Sequence, residues 1–315
     1  MSNLDSFYQL HPDRVLHVAE QVGFLPTGEF TQLNSYENRV FDIKLEEGNS
    51  VIAKFYRPQR WSKEAILEEH EFLFDLKKEG IHAVAPLIVE GGSSVVQDQG
   101  MNVAFFPKIR ARMPQELSSK ELEQVGILLA RLHNIGAQKT AQHRPTMDTS
   151  YYGGWHTLEF LENWISAEVR ERYLDAASFL LETIDEHVDV SEFQRIHGDC
   201  HKGNLLHTGS EFFLVDFDDF ANGPIIQDFW MLLSGGDDSA EELKALTYGY
   251  EELREFPQHQ LDWIPLLRGQ RIISYAGWIA KRWNDPSFPR LFPEFNSFSY
   301  WAEETEALEK IAWSI

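Results

Sequence analysis

His197-Gly198-Asp199-Cys200-His201-Lys202-Gly203-Asn204 is the densest polar cluster in the sequence, and its reading organises the rest. Behind it, Leu205-Leu206-His207, the turn Thr208-Gly209-Ser210, and Phe212 to Val215 spell a short hairpin that leads into Asp216-Phe217-Asp218-Asp219. Such a hairpin carries Asn204 at the foot of one strand and Asp216 at the end of the other, so the two fold toward the same end. Hard oxygen donors of this kind suit Mg²⁺ better than Zn²⁺.

Upstream of the cluster the chain reads as strands. Arg39 to Glu46 alternates Phe41, Ile43 and Leu45 on one face, Glu47-Gly48-Asn49 is turn chemistry, and Ser50 to Arg57 is β-branched and aromatic. Lys54 sits in the middle of that second strand, in phase with Ile52 and Tyr56. Ser62 is an N-cap for a helix in which Ala65, Phe72, Leu73 and Leu76 recur until Gly80. Glu69 falls on the same apolar stripe, whereas Glu64, Glu68 and Glu71 lie on the other face, so Glu69 calls for a buried cation. Ala85 to Val89 and Asn102 to Phe106 are further strand candidates.

Composition then shifts, because Pro107 to Pro114 has proline at both ends and three basic residues in an acidic chain. Ser118 and Glu121 match a capping box, and Leu122, Val125, Leu129 and Leu132 mark the helix that follows, up to Gly136. Apart from the polar cluster and its hairpin, the remainder reads as helical and rich in aromatic residues. The pattern predicts an α+β, two-lobed architecture: a small β-rich N-terminal lobe over residues 1–109 and a larger, mainly helical C-terminal lobe over 110–315.

The 315 residues can bury a sizeable core, and Gly plus Pro make up roughly a tenth of them, which excludes a disordered or fibrous chain. With 28 basic and 50 acidic side chains the net charge is −22, which disfavours nucleic acid and anionic membrane surfaces as partners. The most apolar C-terminal stretch, Ile272 to Ala280, is bracketed by Arg271 and Lys281, too short to span a bilayer. Asp5 and Pro12 stand where a signal peptide needs a basic start and an apolar run. The single cysteine, Cys200, suits a reducing compartment and excludes a Cys-based zinc cluster. A cytoplasmic monomer is expected.

Phosphoryl transfer from a nucleotide needs a carboxylate that accepts the proton of the attacking hydroxyl, and oxygen ligands that hold Mg²⁺ on the phosphates. Asp199 and Asn204 have the spacing of the protein-kinase catalytic loop H-R-D-x-x-x-x-N, and Asp216 stands where the metal-binding Asp of D-F-G follows. Lys54 and Glu69 occupy the places of the kinase strand lysine and helix glutamate.

These residues resemble the aminoglycoside-phosphotransferase-like, or choline-kinase-like, branch of the kinase fold. HGDCHKGN is similar to its H-G-D-x-H-x-x-N loop, LVDFDDFANGPIIQD to its metal-binding segment, and VGILLARLHNIG to the helix that opens its second lobe. Within that branch LNSYENRVF, KFYRPQRW, AILEEHEFLFDL, GPIIQDFWMLL and RWNDPSFPRLFP resemble the bacterial stress response kinase A group of serine/threonine protein kinases. The resemblance implies an ATP- and Mg²⁺-dependent kinase of protein Ser and Thr hydroxyls with a stress-protection role. It makes Asp199 the base, Asn204 and Asp216 the Mg²⁺ ligands, and Lys54 with Glu69 the nucleotide-gripping pair. The same resemblance implies that Ser35 lies in the loop over the phosphates, but Asn34-Ser35-Tyr36-Glu37-Asn38 contains no glycine, unlike an ordinary kinase loop.

Other polar residues carry plainer expectations. His197 holds the loop by hydrogen bonds, His201 either matches a family position or simply packs beside the loop, and Asp218 stands behind the metal site while Asp219 meets solvent. Asp228 resembles the family's buried anchor of the loop, and Cys200 is an inert buried thiol. Three competing functions remain. A small-molecule kinase of the same fold would find its cationic substrate attracted by acids such as Asp237-Asp238 and Glu241-Glu242. A metal-dependent hydrolase would use His197, Asp199, His201 and Asp216 as ligands, and a pseudokinase scaffold would lack one of the key residues, all of which are present.

Overall fold

The computed structural model describes residues 7–8, 10–236 and 238–315, so Asp237 lies outside the described residues. Helix α1 (Pro12–Gln21) starts at His11, whose ring accepts the Asp13 N–H, and with a proline in its first turn. Three antiparallel strands follow, β1 (Pro26–Leu33), β2 (Arg39–Leu45) and β3 (Ser50–Phe55). The β2–β3 hairpin is the one its alternation predicts, closed by Gly48 at φ +83°, a backbone conformation that glycine adopts without a steric penalty. Its inward face, Phe41, Ile43, Val51, Ala53 and Phe55, packs on Val15, Val18 and Ala19 of α1.

Ser62 caps α2 (Lys63–Lys78) through a 3.1 Å bond from the Ala65 N–H. The strand expected at Ala85–Val89 does not form. Pro86 removes a ladder donor, and the segment makes a single backbone bond to the sheet there, Leu87 N–H to Phe105 O at 2.6 Å. The sheet is completed instead by β4 (Val96–Asp98) and β5 (Met101–Pro107), in the order β1-β2-β3-β5-β4. Lys54 lies between Val40 and Ala104 in this register, on the central strand.

Past the Pro107 segment, α3 (Ser119–Gly136) opens with both hydrogen bonds of the Ser118–Glu121 capping box. The second lobe continues with α4 (Trp155–Leu161), α5 (Arg170–His187), and the short strands β6 (Gln194–Ile196), β7 (Leu205–His207), β8 (Phe212–Leu214) and β9 (Ala221–Gly223). It ends with α6 (Gln227–Trp230), α7 (Ser239–Glu251), α8 (Ile264–Lys281), α9 (Phe288–Leu291) and α10 (Phe298–Ala312). Strands β7 and β8 pair as the expected hairpin, and β6 pairs with β9 in a second two-stranded sheet.

Helix α2 belongs to the first lobe by sequence and to the second by packing. Phe72, Leu73 and Leu76 enter the core formed by α3, the β6–β9 strands and α7, with the Phe72 ring stacked on Phe220 at 5.0 Å. A separate core joins α4, α5, α8 and α10 around Tyr173 and Trp301. Ion pairs add to the join between lobes: Arg57 with Asp285 at 3.0 Å, Arg282 with Glu37 at 2.7 Å, and Arg60 with Asp218. No helix among the described residues is long and apolar enough to cross a membrane.

Candidate active site

The loop between β6 and β7 is fixed by a buried carboxylate. Asp228 on α6, fully enclosed, accepts the N–H groups of His197 and Gly198 at 2.9 Å each and meets His133 Nε2 of α3 at 3.1 Å. This is the anchor that the sequence expects. His197 is structural, as predicted: Nε2 meets Val215 O at 2.9 Å, and Nδ1 accepts the Asp199 N–H at 3.3 Å. Both ring nitrogens are thus engaged with backbone, which leaves neither for a metal and removes the support for the hydrolase alternative. Gly198 has φ +84°, and a Cβ there would stand 2.2 Å from Asp219 O, so only glycine lets the loop approach the 216–219 segment this closely.

Asp199 emerges from this loop about one-fifth exposed, with Arg271 Nη2 of α8 at 3.1 Å from Oδ1 and His201 Nε2 at 3.4 Å from Oδ2. Burial pushes its pKa up, but the His201 hydrogen bond and the Arg271 charge outweigh that and leave it at about 2. The carboxylate is therefore ionised at neutral pH. His201, which matches a family position in the loop and is equally explained by packing, contacts Asp199 directly and caps the turn at Gly203 N–H, 3.0 Å away. Asn204 donates its side-chain N–H to Asp199 O at 2.9 Å, while its backbone carbonyl receives the Val215 N–H at 3.0 Å across the hairpin. Asn204 and Asp216 are thereby held at one end of β7–β8.

Asp216 adopts φ +60° and ψ +65°, left-handed for a non-glycine residue, and this turns its half-exposed carboxylate toward Lys54. Lys54 Nζ lies 3.0 Å from both Asp216 Oδ1 and Asp218 Oδ1. Burial works against its ammonium, yet those two charges prevail and hold the lysine pKa well above its ordinary value. The expected ion pair with Glu69 is corrected by this geometry. Glu69 is buried, as its stripe position implies, but its hydrogen-bonded cation is Arg144, at 3.4 Å. The Arg144 guanidinium lies 4.1 Å from the Trp61 ring centre and donates to the carbonyls of Phe217, Asp218 and Phe220. Lys54 acts on Glu69 through its charge alone. Burial raises the Glu69 pKa to about 7, with Lys54 and then Arg144 drawing it down.

Ser35 lies in the glycine-free loop between β1 and β2, where its hydroxyl accepts the Asn38 N–H at 3.2 Å. Glu37 in the same loop is buried against Arg57, Arg282 and the Trp278 indole N–H. Polar side chains, not glycines, shape the loop. Asp219 meets solvent as expected, its side chain 44% exposed, and it also pairs with Arg60 Nη2 at 2.6 Å, whose guanidinium reaches Asp218 as well. Cys200 is fully buried, and burial raises its thiol pKa, as an inert cysteine requires. Arg60, Arg144 and Arg271 are the site residues the sequence reading missed. The one signal that pointed toward any of them was the unsatisfied acid at Glu69, which demanded a cation without saying where along the chain it would come from.

A strand lysine, an aspartate in a left-handed turn, an asparagine on the hairpin and an ionised loop aspartate thus meet between a five-stranded sheet and a helical lobe, in a two-lobed kinase-like α+β fold. The chain belongs to the phosphotransferase enzyme family, whose model matches residues 29–261, and it is a phosphotransferase with an alcohol-group acceptor. Within that family it falls with the stress response kinases. It is 36% identical over 310 residues to the serine/threonine protein kinase RdoA of Salmonella typhimurium (strain LT2), covering 96% of this chain and 93% of that one. It is 35% identical over 305 residues to stress response kinase A of Escherichia coli (strain K12), covering 95% and 92%. Among solved structures, amicoumacin kinase hAmiN in complex with AMP-PNP, Ca²⁺ and Ami superimposes with a TM-score of 0.76 at 20% identity, over 95% of this chain and 93% of that one. A spectinomycin phosphotransferase, solved with ADP and spectinomycin, gives 0.67 at 17%, over 96% and 97%.

Proposed function

We propose that the protein is an ATP- and Mg²⁺-dependent serine/threonine protein kinase acting in the bacterial stress response, in the cytoplasm and as a monomer. The observation that carries this reading is the meeting of Asp199, Asn204, Asp216 and Lys54 at the junction of the lobes, in a chain whose relatives over nearly its whole length are named as such kinases. Asp199, ionised and at the open side of the loop, accepts the proton of the substrate hydroxyl. As the hydroxyl oxygen bonds to the γ-phosphorus, the bond from that phosphorus to the β-phosphate oxygen breaks and ADP leaves.

The donor set fits Mg²⁺. Asn204 spends its side-chain N–H on Asp199 O, which leaves the side-chain amide oxygen free to be a ligand, and Asp216 would add a half-exposed carboxylate, a hard-oxygen donor set suited to that ion. When bound there, Mg²⁺ neutralises charge on the phosphates of the nucleotide. Lys54 changes partners from Asp216 and Asp218 to the α/β-phosphates, with Glu69 contributing negative charge nearby and Arg144 fixing Glu69 to the 217–220 backbone. Ser35 and neighbouring N–H groups of the β1–β2 loop cover the phosphates. The lobe boundary proposed with this reading lies at residues 109 and 110.

The test incubates the protein with γ-labelled ATP, Mg²⁺ and a bacterial extract, beside a panel of amino alcohols and aminoglycosides. Label on protein Ser and Thr, lost by at least about 100-fold in Asp199→Asn with nucleotide binding retained, is the expected result. Label confined to the small molecules overturns the protein-kinase reading.

A further inference from the structure

The chain carries a net charge of −22, yet the charged side chains lining one groove of its surface are mainly cations. The groove, of about 790 Å³, runs between α8 and α10, with Trp230 of α6 also in its lining. That volume is within the range of about 300–1,000 Å³ typical of ligand pockets. Arg268, Arg271 and Tyr275 recur along one face of α8 at spacings of three and four residues, and Lys310 faces them from α10. Against these three cations the lining offers one acid, Glu304. Burial, with the charge of Glu303 beside it, pushes the Glu304 pKa up to about 7, so this acid opposes the cations less than an ordinary glutamate would.

Two of the cations are uncommitted. Among the described residues neither Arg268 nor Lys310 has an ion-pair partner within 4.0 Å, and both side chains are exposed. The third, Arg271, joins the groove to the chemistry, because its guanidinium contacts Asp199 at 3.1 Å while its side chain lines the groove wall. A substrate hydroxyl delivered to Asp199 therefore brings its flanking atoms past Arg271 toward Arg268 and Lys310. A cationic small molecule would meet repulsion on that path.

We infer that the α8–α10 groove is the acceptor subsite and selects acidic peptide segments, with Asp or Glu within about four residues of the Ser or Thr that is phosphorylated, a reach set by a rise of about 3.3 Å per extended residue. Arg clusters are a recurrent device for acidic recognition, since each guanidinium can grip a carboxylate through two parallel N–H bonds. The inference rests on the protein-kinase reading for the identity of the acceptor, but the preference for anionic ligands stands on the groove itself.

Three labelled peptides, alike except that the central serine is flanked by acidic, basic or neutral residues, separate the two. Their affinities are measured at low salt with Mg²⁺ and a non-hydrolysable ATP analogue, for the full chain and for Arg268→Glu/Lys310→Glu. The wild type should bind the acidic peptide at least about tenfold more tightly than the basic one, and the double charge reversal should abolish or invert that preference. Arg268→Gln/Lys310→Gln, a milder change at the same exposed positions, should fall between. Equal affinities in the wild type, or a preference that both double variants retain, overturn the subsite. Phosphate transfer is read separately with γ-labelled ATP: selective binding without transfer to any peptide leaves the subsite supported and removes the protein-kinase reading.

Discussion

Arg144 donates to Glu69 at 3.4 Å with both side chains shut away from water, and so ties helix α2 to the carbonyls of the segment that follows Asp216. In this structure the acid on the apolar stripe of α2 is satisfied from the second lobe, not from the strand lysine.

Breaking that pair has a measurable cost. Arg144→Met leaves Glu69 buried beside only the longer-range charge of Lys54, and should lower stability to urea by on the order of 3–5 kcal/mol at pH 8. The loss should shrink below pH 7, where protonation of Glu69 removes the buried charge. Glu69→Gln in the same chain should recover a large part of it, with a coupling of about 0.5–3 kcal/mol in the double-mutant cycle. Strictly additive effects would show the two side chains to be independent.

Asp216 combines an unusual backbone with a metal-ligand role. Calorimetric titration with nucleotide should show Asp216→Ala losing the Mg²⁺-dependent part of binding. Asp216→Asn, which tolerates the left-handed conformation, should fold normally and keep a weakened Mg²⁺ dependence. Binding by Asp216→Ala that still responds fully to Mg²⁺ argues against this ligand.

Gly198 is expected to be the least replaceable glycine of the site. Gly198→Ala meets both a φ of +84° and a Cβ placed 2.2 Å from the Asp219 carbonyl oxygen, a backbone atom that cannot rotate away. The loop must shift, and phosphoryl transfer should drop by about 100-fold or more, in line with the sensitivity of catalysis to displacements near 1 Å. Wild-type turnover in this variant contradicts the close approach.

His70 supplies a pH dependence that can be separated from catalysis. Burial, then the charges of Lys54 and Arg144, push its pKa down to about 3, and the neutral ring bonds to Tyr56 Oη at 3.1 Å and Ser94 Oγ at 2.8 Å. Below pH 6.5 the unfolded chain takes up a proton that the folded chain refuses, so this contribution is complete above pH 6.5 and is lost as pH falls toward 3. From pH 6.5 to 5 the stability should fall by about 2 kcal/mol from this residue. Parallel urea titrations of the wild type and His70→Leu check it, since the variant should lack that part of the slope; identical slopes count against a neutral buried histidine.

Much of the architecture was legible because it is written in local patterns. Alternation in Arg39–Glu46, the Ser62 and Ser118 caps, and the turn at Thr208-Gly209-Ser210 each depend on a few neighbouring residues, and each element stands where it was expected. Ala85–Val89 misled because its apolar run lacks the ladder donor that Pro86 removes, and the sheet took Val96–Asp98 instead. The acidic composition, which suits a cationic substrate only for the rival small-molecule kinase and hardly favours it, says nothing of the groove beside Asp199, which is lined by cations, because a sum over the whole chain carries no information about which charges folding brings together.

The sequence alone determined the two-lobed order of elements, the hairpin that brings Asn204 and Asp216 to one end, and the need of Glu69 for a cation. The tertiary structure decided who meets whom: Lys54 with Asp216 and Asp218, Glu69 with Arg144, and Asp199 with Arg271. The physical reason is range. Backbone hydrogen bonding and side-chain periodicity act over a few residues, whereas a buried charge is satisfied by whichever opposite charge the packed lobes set within a few ångströms, and these partners stand 72 to 164 positions apart in the chain.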